Sequence, residues 1–234
     1  MTIRFDDIEC LSFDCYGTLI DWEVGIAGAL GRLLAAHGIE LGDEEVLALF
    51  AEVEPAQQEG EYRLYRDVLG SVVDAIGERF GFTPSPSERG SLADSIADWQ
   101  PFPDTVDSLR ALGRRFELVI ISNIDDDLFA HSAEHLSVSF DHVITAEQSR
   151  AYKPSHGSFH LAFERMGRGP KGVLHVAQSL YHDIRPANEL GLRSVWVNRR
   201  AGTHGSGATA PSAAQPDLEV HDLATLVQLM GMGG

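Results

Sequence analysis

Basic residues are scarce in this chain of 234: 18 Lys and Arg stand against 35 Asp and Glu, a formal net charge of −17. Such a surface disfavours nucleic acid and anionic membranes as partners, since neither finds counter-charge on it. A small anionic substrate stays admissible, because one local Lys or Arg overrides the global field. Cysteine is scarcer still. Cys10 and Cys15 are the only two. They flank one short segment and offer no disulfide framework, so a reducing, cytoplasmic setting is expected. The opening residues Met1 to Asp7 lack the basic-then-apolar plan of a secretory leader. No apolar run reaches membrane-spanning length. Gly-x-Ser-x-Gly is absent, which removes the nucleophile elbow of a serine hydrolase. The ten histidines show no His-Glu-x-x-His or comparable zinc spacing.

What is present begins with Cys10-Leu11-Ser12-Phe13-Asp14-Cys15-Tyr16-Gly17-Thr18-Leu19-Ile20. A short apolar run before a Gly-Thr turn reads as a buried strand of a parallel sheet, ending at Asp14. A carboxylate at such a tip can act as a nucleophile; it can equally cap the next turn. On this stretch alone both readings stand.

From Asp21 to about Trp99 the pattern turns helical. Ile26, Leu30, Leu33 and Leu34 recur at three and four residues, as do Val46, Leu47, Leu49 and Phe50. A longer amphipathic run spans Tyr62 to Phe80, and Gly38, Pro55, Gly60, Gly81 and the Pro84–Pro86 cluster punctuate the series. No strand-like run interrupts it, so residues 21–99 are expected to form an inserted all-helical cap domain. Residues 1–20 and 100–234 would form the core. There, Asp104 can cap a helix carrying Val106, Leu109 and Leu112. Strand candidates Phe116–Ile121, Val143–Thr145, Val173–Ala177 and Ser194–Val197 alternate with helices at Asp127–Leu136, Gly157–Met166 and Asp183–Leu190. That alternation predicts an α/β fold: a Rossmann-like, doubly wound parallel sheet. Ala201 to Gln215 is small and Gly/Ser-rich and is expected to be a flexible loop; Leu218–Val220 and Leu223–Met230 would supply a last strand and helix.

A parallel sheet gathers its strand tips at one edge, where ligands of open α/β sheets bind. The tips here carry Asp14, then Ser122 and Asn123, then Lys153 in the loop after the third strand, then Asp183. Each has a plain alternative: a helix cap for Ser122 or Asn123, a surface lysine, an acid favoured by a helix dipole for Asp183. Four such coincidences at successive tips argue for a single site.

Asp14-x-Tyr16-Gly17-Thr18, the strand ending in Ser122-Asn123, Lys153-Pro154 and the late Asp183 resemble, in order, spacing and context, the four motifs of the haloacid dehalogenase-like superfamily, with the helical insertion as that family's cap. Phosphatases of the superfamily carry a second aspartate where this chain has Tyr16, and usually a further carboxylate where it has Gln178. The pattern is instead similar to the metal-free (S)-2-haloacid dehalogenases of type II. That resemblance implies hydrolysis of short 2-haloacids to 2-hydroxy acids through an ester on Asp14, with no cofactor. Lys153 would balance the charge of Asp14, Asp183 would orient Lys153 and position water, and Thr18 would hold the nucleophile.

The resemblance further implies that Ser122, Asn123 and the turn amides after Asp14, with Cys15 and Tyr16, receive the substrate, and that Gln178 and Ser179 border it. The family's halide-receiving cap arginine is replaced by Ala51, which leaves Arg63 and Arg66 as candidates from the Tyr62–Phe80 helix. The family's late Ser and Asn become Gln178 and Leu180. The alternatives are a Mg²⁺-dependent phosphatase with the ion at Asp14 and Asp183, and a non-catalytic binding protein on this fold. The expected partner is a small-molecule anionic substrate, with a homodimer as one open assembly.

Overall fold

The computed structural model describes residues 3–203 and 207–232. Its centre is a six-stranded sheet of order β3-β2-β1-β4-β5-β6, made of β1 Cys10–Phe13, β2 Glu117–Ser122, β3 His142–Thr145, β4 Val173–Ala177, β5 Arg193–Val197 and β6 Leu218–Val220. Every neighbouring pair is parallel. The order reverses beside β1, so the carboxyl end of β1 lies at the switch point where such sheets open a crevice. β1, β4 and nearly all of β2 are buried throughout, as expected of strands covered on both faces.

Between β1 and β2 the chain is helical: α1 Trp22–Ala36, α2 Asp43–Gln57, α3 Tyr65–Phe80 and α4 Pro86–Ser95, with a 3₁₀ turn at Ile96–Asp98. α1 packs on α2 and α4, α2 on α3, and α3 on α4. Their apolar periodicity supplies the seam, with Ile26, Leu30, Phe50, Val68, Leu69, Val72 and Leu92 all buried. α4 starts where its sequence dictates, with Pro86 in its first turn and a reciprocal Ser85–Glu88 capping box. The chain enters and leaves this helical segment side by side: Asp21 N donates to Gln100 O at 2.8 Å and Phe102 N to Leu19 O at 3.1 Å.

After β2 come α6 Asp126–Leu136, the short α7 Ala146–Ser149 and α8 Gly157–Met166. A single π turn, Leu180–Ile184, leads into α9 Arg185–Leu190. α5 Thr105–Leu112 precedes β2, and α10 Leu223–Leu229 closes the chain and packs on α5.

Four local expectations are corrected. Pro55 does not end its helix; it lies in the last turn of α2. α3 begins at Tyr65 rather than Tyr62, because Leu64 is extended and the freed amides of Tyr65 and Arg66 donate to the buried carboxylate of Asp125, at 2.7 and 2.9 Å. Asp104 precedes α5 without capping it by its side chain; its carboxylate accepts instead from Leu223 N and Arg199 Nη1, both at 2.7 Å. The expected flexible loop is pinned in part: Ala208 and Thr209 are buried, and Ala208 N donates to Glu23 Oε1 at 3.1 Å. Residues 204–206 of that stretch lie outside the described residues.

Candidate active site

β1 ends one residue before Asp14, and the turn that follows requires a glycine twice over. Gly17 has φ +86°, and a Cβ there would sit 2.7 Å from Trp22 Nε1. The turn folds Thr18 back, so that its hydroxyl donates to Asp14 Oδ2 at 2.8 Å while accepting from Gln178 N at 2.9 Å.

Lys153 reaches the same point from the loop after β3 and is 1% exposed. Its ammonium makes three hydrogen bonds, to Asp14 Oδ1 at 2.9 Å, Asp183 Oδ1 at 2.7 Å and Ile121 O at 2.8 Å, which uses all three of its protons. Asp183 is also tied to His175, whose Nε2 lies 2.9 Å from Asp183 Oδ1. Since a carboxylate only accepts, Nε2 carries the proton. On the far side of the ring, Nδ1 meets Ser12 Oγ at 2.9 Å, an arrangement set by the sheet itself, where Ser12 and His175 are register partners on β1 and β4.

The electrostatics follow from these contacts. Burial, with Asp183 adding to it, pushes the Asp14 carboxyl above its ordinary range, against Lys153 and Thr18. Burial acts on Asp183 in the same direction, but Lys153 and His175 outweigh it and hold that carboxyl below its ordinary range. Burial would strip Lys153 of its proton, yet the two carboxylates prevail and its pKa is raised. The triad is therefore an ammonium between two acids of unequal strength.

A small cavity of about 40 Å³ opens over this triad. Two buried polar atoms on its lining residues have no hydrogen-bond partner among the described residues: Ser122 Oγ and Asp183 Oδ2. Asn123 also borders the cavity, but its amide clasps the Lys153 main chain, accepting from Lys153 N at 2.7 Å and donating to Lys153 O at 3.0 Å. Tyr16 lends its ring, edge-on to Trp99 with centroids 5.9 Å apart, and its hydroxyl pairs with Ser132 Oγ at 2.8 Å. Gln178 and Ser179 both line the cavity. Ser179 Oγ accepts from His182 N at 2.9 Å.

Three expected side chains, and part of the turn's backbone, are placed elsewhere. Cys15 is fully buried in the apolar core, where burial pushes its thiol well up. Of the turn amides after Asp14, those of Gly17, Thr18, Leu19 and Ile20 are engaged inside their own turn and are not offered to a ligand. Arg63 precedes α3 and donates to Ser71 Oγ at 3.0 Å and Gln57 O at 2.6 Å. Arg66 pairs with Asp127 and, at 3.8 Å, with Asp125. Neither arginine lines the cavity, because α3 starts three residues later than its periodicity predicts and its first turn is anchored on Asp125.

Other residues were missed. His175 had a signal, a lone polar side chain inside an otherwise apolar strand. His182 borders the cavity with its imidazole pushed down to about 4 by burial. Glu54 and Trp99 come from the helical segment, and Thr209 arrives from the Gly-rich loop, its hydroxyl donating to Gln178 Oε1 at 3.3 Å. Nothing local distinguishes these from ordinary surface or core positions.

The alternative Mg²⁺ site at Asp14 and Asp183 can be tested on its donors. The Oδ1 atoms of both carboxylates converge on the Lys153 ammonium, and Gln178, beside them, is neutral. Among the described residues, no group of three or more His, Cys, Asp or Glu is placed to hold a metal ion. This donor set does not fit a hard dication, which asks for oxygen ligands with net negative charge.

A family model described as haloacid dehalogenase-like hydrolase matches residues 8–191. The (S)-2-haloacid dehalogenase of Pseudomonas sp. (strain YL) is 27% identical, over 96% of this chain and 95% of its own. The phosphoglycolate phosphatase of Shigella dysenteriae is 26% identical, over 98% and 95%. Among solved structures, the L-2-haloacid dehalogenase from Xanthobacter autotrophicus with chloropropionic acid covalently bound matches with a TM-score of 0.79 at 23% identity, covering 96% of this chain and 98% of that one. That last likeness is one of fold.

Proposed function

This chain belongs to the haloacid dehalogenase-like hydrolases, and from that premise we propose that it hydrolyses short 2-haloacids to 2-hydroxy acids through an ester on Asp14, without a metal. The observation that carries the reading is the Asp14–Lys153–Asp183 triad, with Thr18 on the second oxygen of Asp14. The Asp14 carboxylate attacks the carbon that bears the halogen, and the C–X bond leaves with its electron pair as halide. Lys153 and Thr18 hold the nucleophile in one orientation. Water then adds to the ester carbonyl of Asp14. Asp183 Oδ2, buried and without a partner among the described residues, is the acceptor that aligns this water. Cleavage of the acyl C–O bond releases the 2-hydroxy acid, returns the carboxylate and leaves one proton for solvent.

Ser122 Oγ is the free donor on the core side for the substrate carboxylate. The helices α1 to α4 act in this reading as the cap that closes the cavity. Arg63 and Arg66 have no part in it, since neither lines the cavity; the halide is received there without an arginine.

Halide release from 2-chloropropionate in EDTA, run beside a phosphomonoester screen with and without Mg²⁺, tests the reading. Halide without metal supports it; turnover of phosphomonoesters alone, dependent on Mg²⁺, replaces it with the phosphatase reading. Single turnover in ¹⁸O-water is expected to place label in Asp14. Label found only in product would exclude the ester.

A further inference from the structure

The helical side of the cavity carries an acid that the chemistry above does not use. Glu54, in the last turn of α2, is 6% exposed and lines the same cavity as Asp14. Its Oε1 accepts from the Gln58 side-chain amide and from the Tyr65 hydroxyl, the latter at 3.4 Å. Oε2 has no partner among the described residues, and no Lys, Arg or His pairs with the group.

The charge around the cavity is therefore unbalanced. Lys153 is its one Lys or Arg among the described residues, and both of its ion pairs are with Asp14 and Asp183. His182 is held neutral at pH 7 by burial. That leaves Glu54 as a buried carboxyl with no counter-charge, which is costly unless something else supplies one. Its surroundings suit a cation: the rings of Tyr16, Trp22, Tyr65 and Trp99 border the same space, and aromatic faces attract ammonium groups. An alkyl group there would leave the carboxylate unpaired, and a second carboxylate would be repelled by it.

We infer that the substrate carries a protonated amine at the end remote from its reacting carbon, and that Glu54 receives it against this aromatic wall. The inference rests on the cavity being the substrate site proposed above, and it narrows the substrate class from short 2-haloacids to those bearing an amine.

The test compares three racemic product analogues that differ only at the far end: 2-hydroxybutanoate, malate and 4-amino-2-hydroxybutanoate. Calorimetric titration of the full chain at about pH 8 keeps the amine protonated and Glu54 ionised. The amine is expected to bind at least about tenfold more tightly than 2-hydroxybutanoate, and malate most weakly. Glu54→Gln is expected to abolish the preference for the amine over 2-hydroxybutanoate. Equal or tighter binding of either other ligand by the unaltered chain, binding of none of the three, or a preference that survives in Glu54→Gln overturns the inference. The ranking in the unaltered chain is decisive by itself should the variant fail to fold. Label in Asp14 from 2-chloropropionate is read independently. Label without an amine preference sinks this inference and leaves the ester mechanism standing.

Discussion

Asn123 holds Lys153 by its main chain and not by its side chain. The carboxamide oxygen accepts from Lys153 N at 2.7 Å and the carboxamide nitrogen donates to Lys153 O at 3.0 Å. A residue at the end of β2 thereby fixes the backbone from which the ammonium is launched, leaving Nζ free to join Asp14, Asp183 and Ile121 O. The loop after β3 needs such a clasp, because a lysine carries more conformational freedom than any other group in the triad.

Asn123→Ala is expected to remove two hydrogen bonds and leave a part-buried N–H without its partner, at a cost of about 1–3 kcal/mol. Because the ammonium is then less well placed, kcat/KM should also fall by about tenfold or more. Urea denaturation and steady-state kinetics read the two effects. A variant with full turnover and unchanged stability would mean that the loop holds Lys153 unaided.

Lys153→Met leaves two buried carboxylates facing each other. Breaking a buried pair from one side costs about 3–5 kcal/mol, and that loss is expected near pH 7. It should shrink toward about pH 4, because a proton shared by Asp14 and Asp183 then relieves the repulsion that the ammonium had relieved. Denaturation at both pH values decides this; an equal loss at the two would assign Lys153 to packing alone.

Glu54 couples stability to pH in a direction opposite to most acids. Burial raises its pKa from 4.5 to about 7, against hydrogen bonds from Gln58 and Tyr65. An acid whose folded pKa is raised contributes stability that is fully present below its unfolded value and lost as pH climbs through the folded one. Glu54→Gln should therefore match the unaltered chain near pH 4 and exceed it by up to about 3 kcal/mol at pH 8, the advantage growing across the window from 4.5 to about 7. A difference that does not change with pH would show that the carboxyl stays neutral or well solvated.

Much of the architecture was legible because it is written in local periods. Alternating apolar strands and amphipathic helices imply a parallel sheet, and a parallel sheet delivers its tips to one edge. That is why Asp14, Ser122, Asn123, Lys153 and Asp183 could be grouped from sequence alone. The same logic marked the helical stretch between β1 and β2 and the turn glycine at position 17.

What the sequence could not settle was which atom meets which. The sequence marks Asp104 as a helix cap and does not single out Asp125. In the fold the first binds Arg199 and Leu223, while the second caps α3 across some sixty residues of chain. The chemistry of a carboxylate is the same in either role, so only the packing of distant segments can assign it. The same holds for Arg63 and Arg66: α3 begins at Tyr65, which leaves Arg63 outside it, and the partners of both lie outside the cavity. Local propensity thus determined the sheet, its order of elements and the residues at its tips. The tertiary structure alone decided that His175 would back Asp183 through a strand register and that Glu54 would face the cavity without a cation. Such pairings depend on burial and on hydrogen-bond geometry between segments far apart in the chain, and neither quantity exists until the chain has folded.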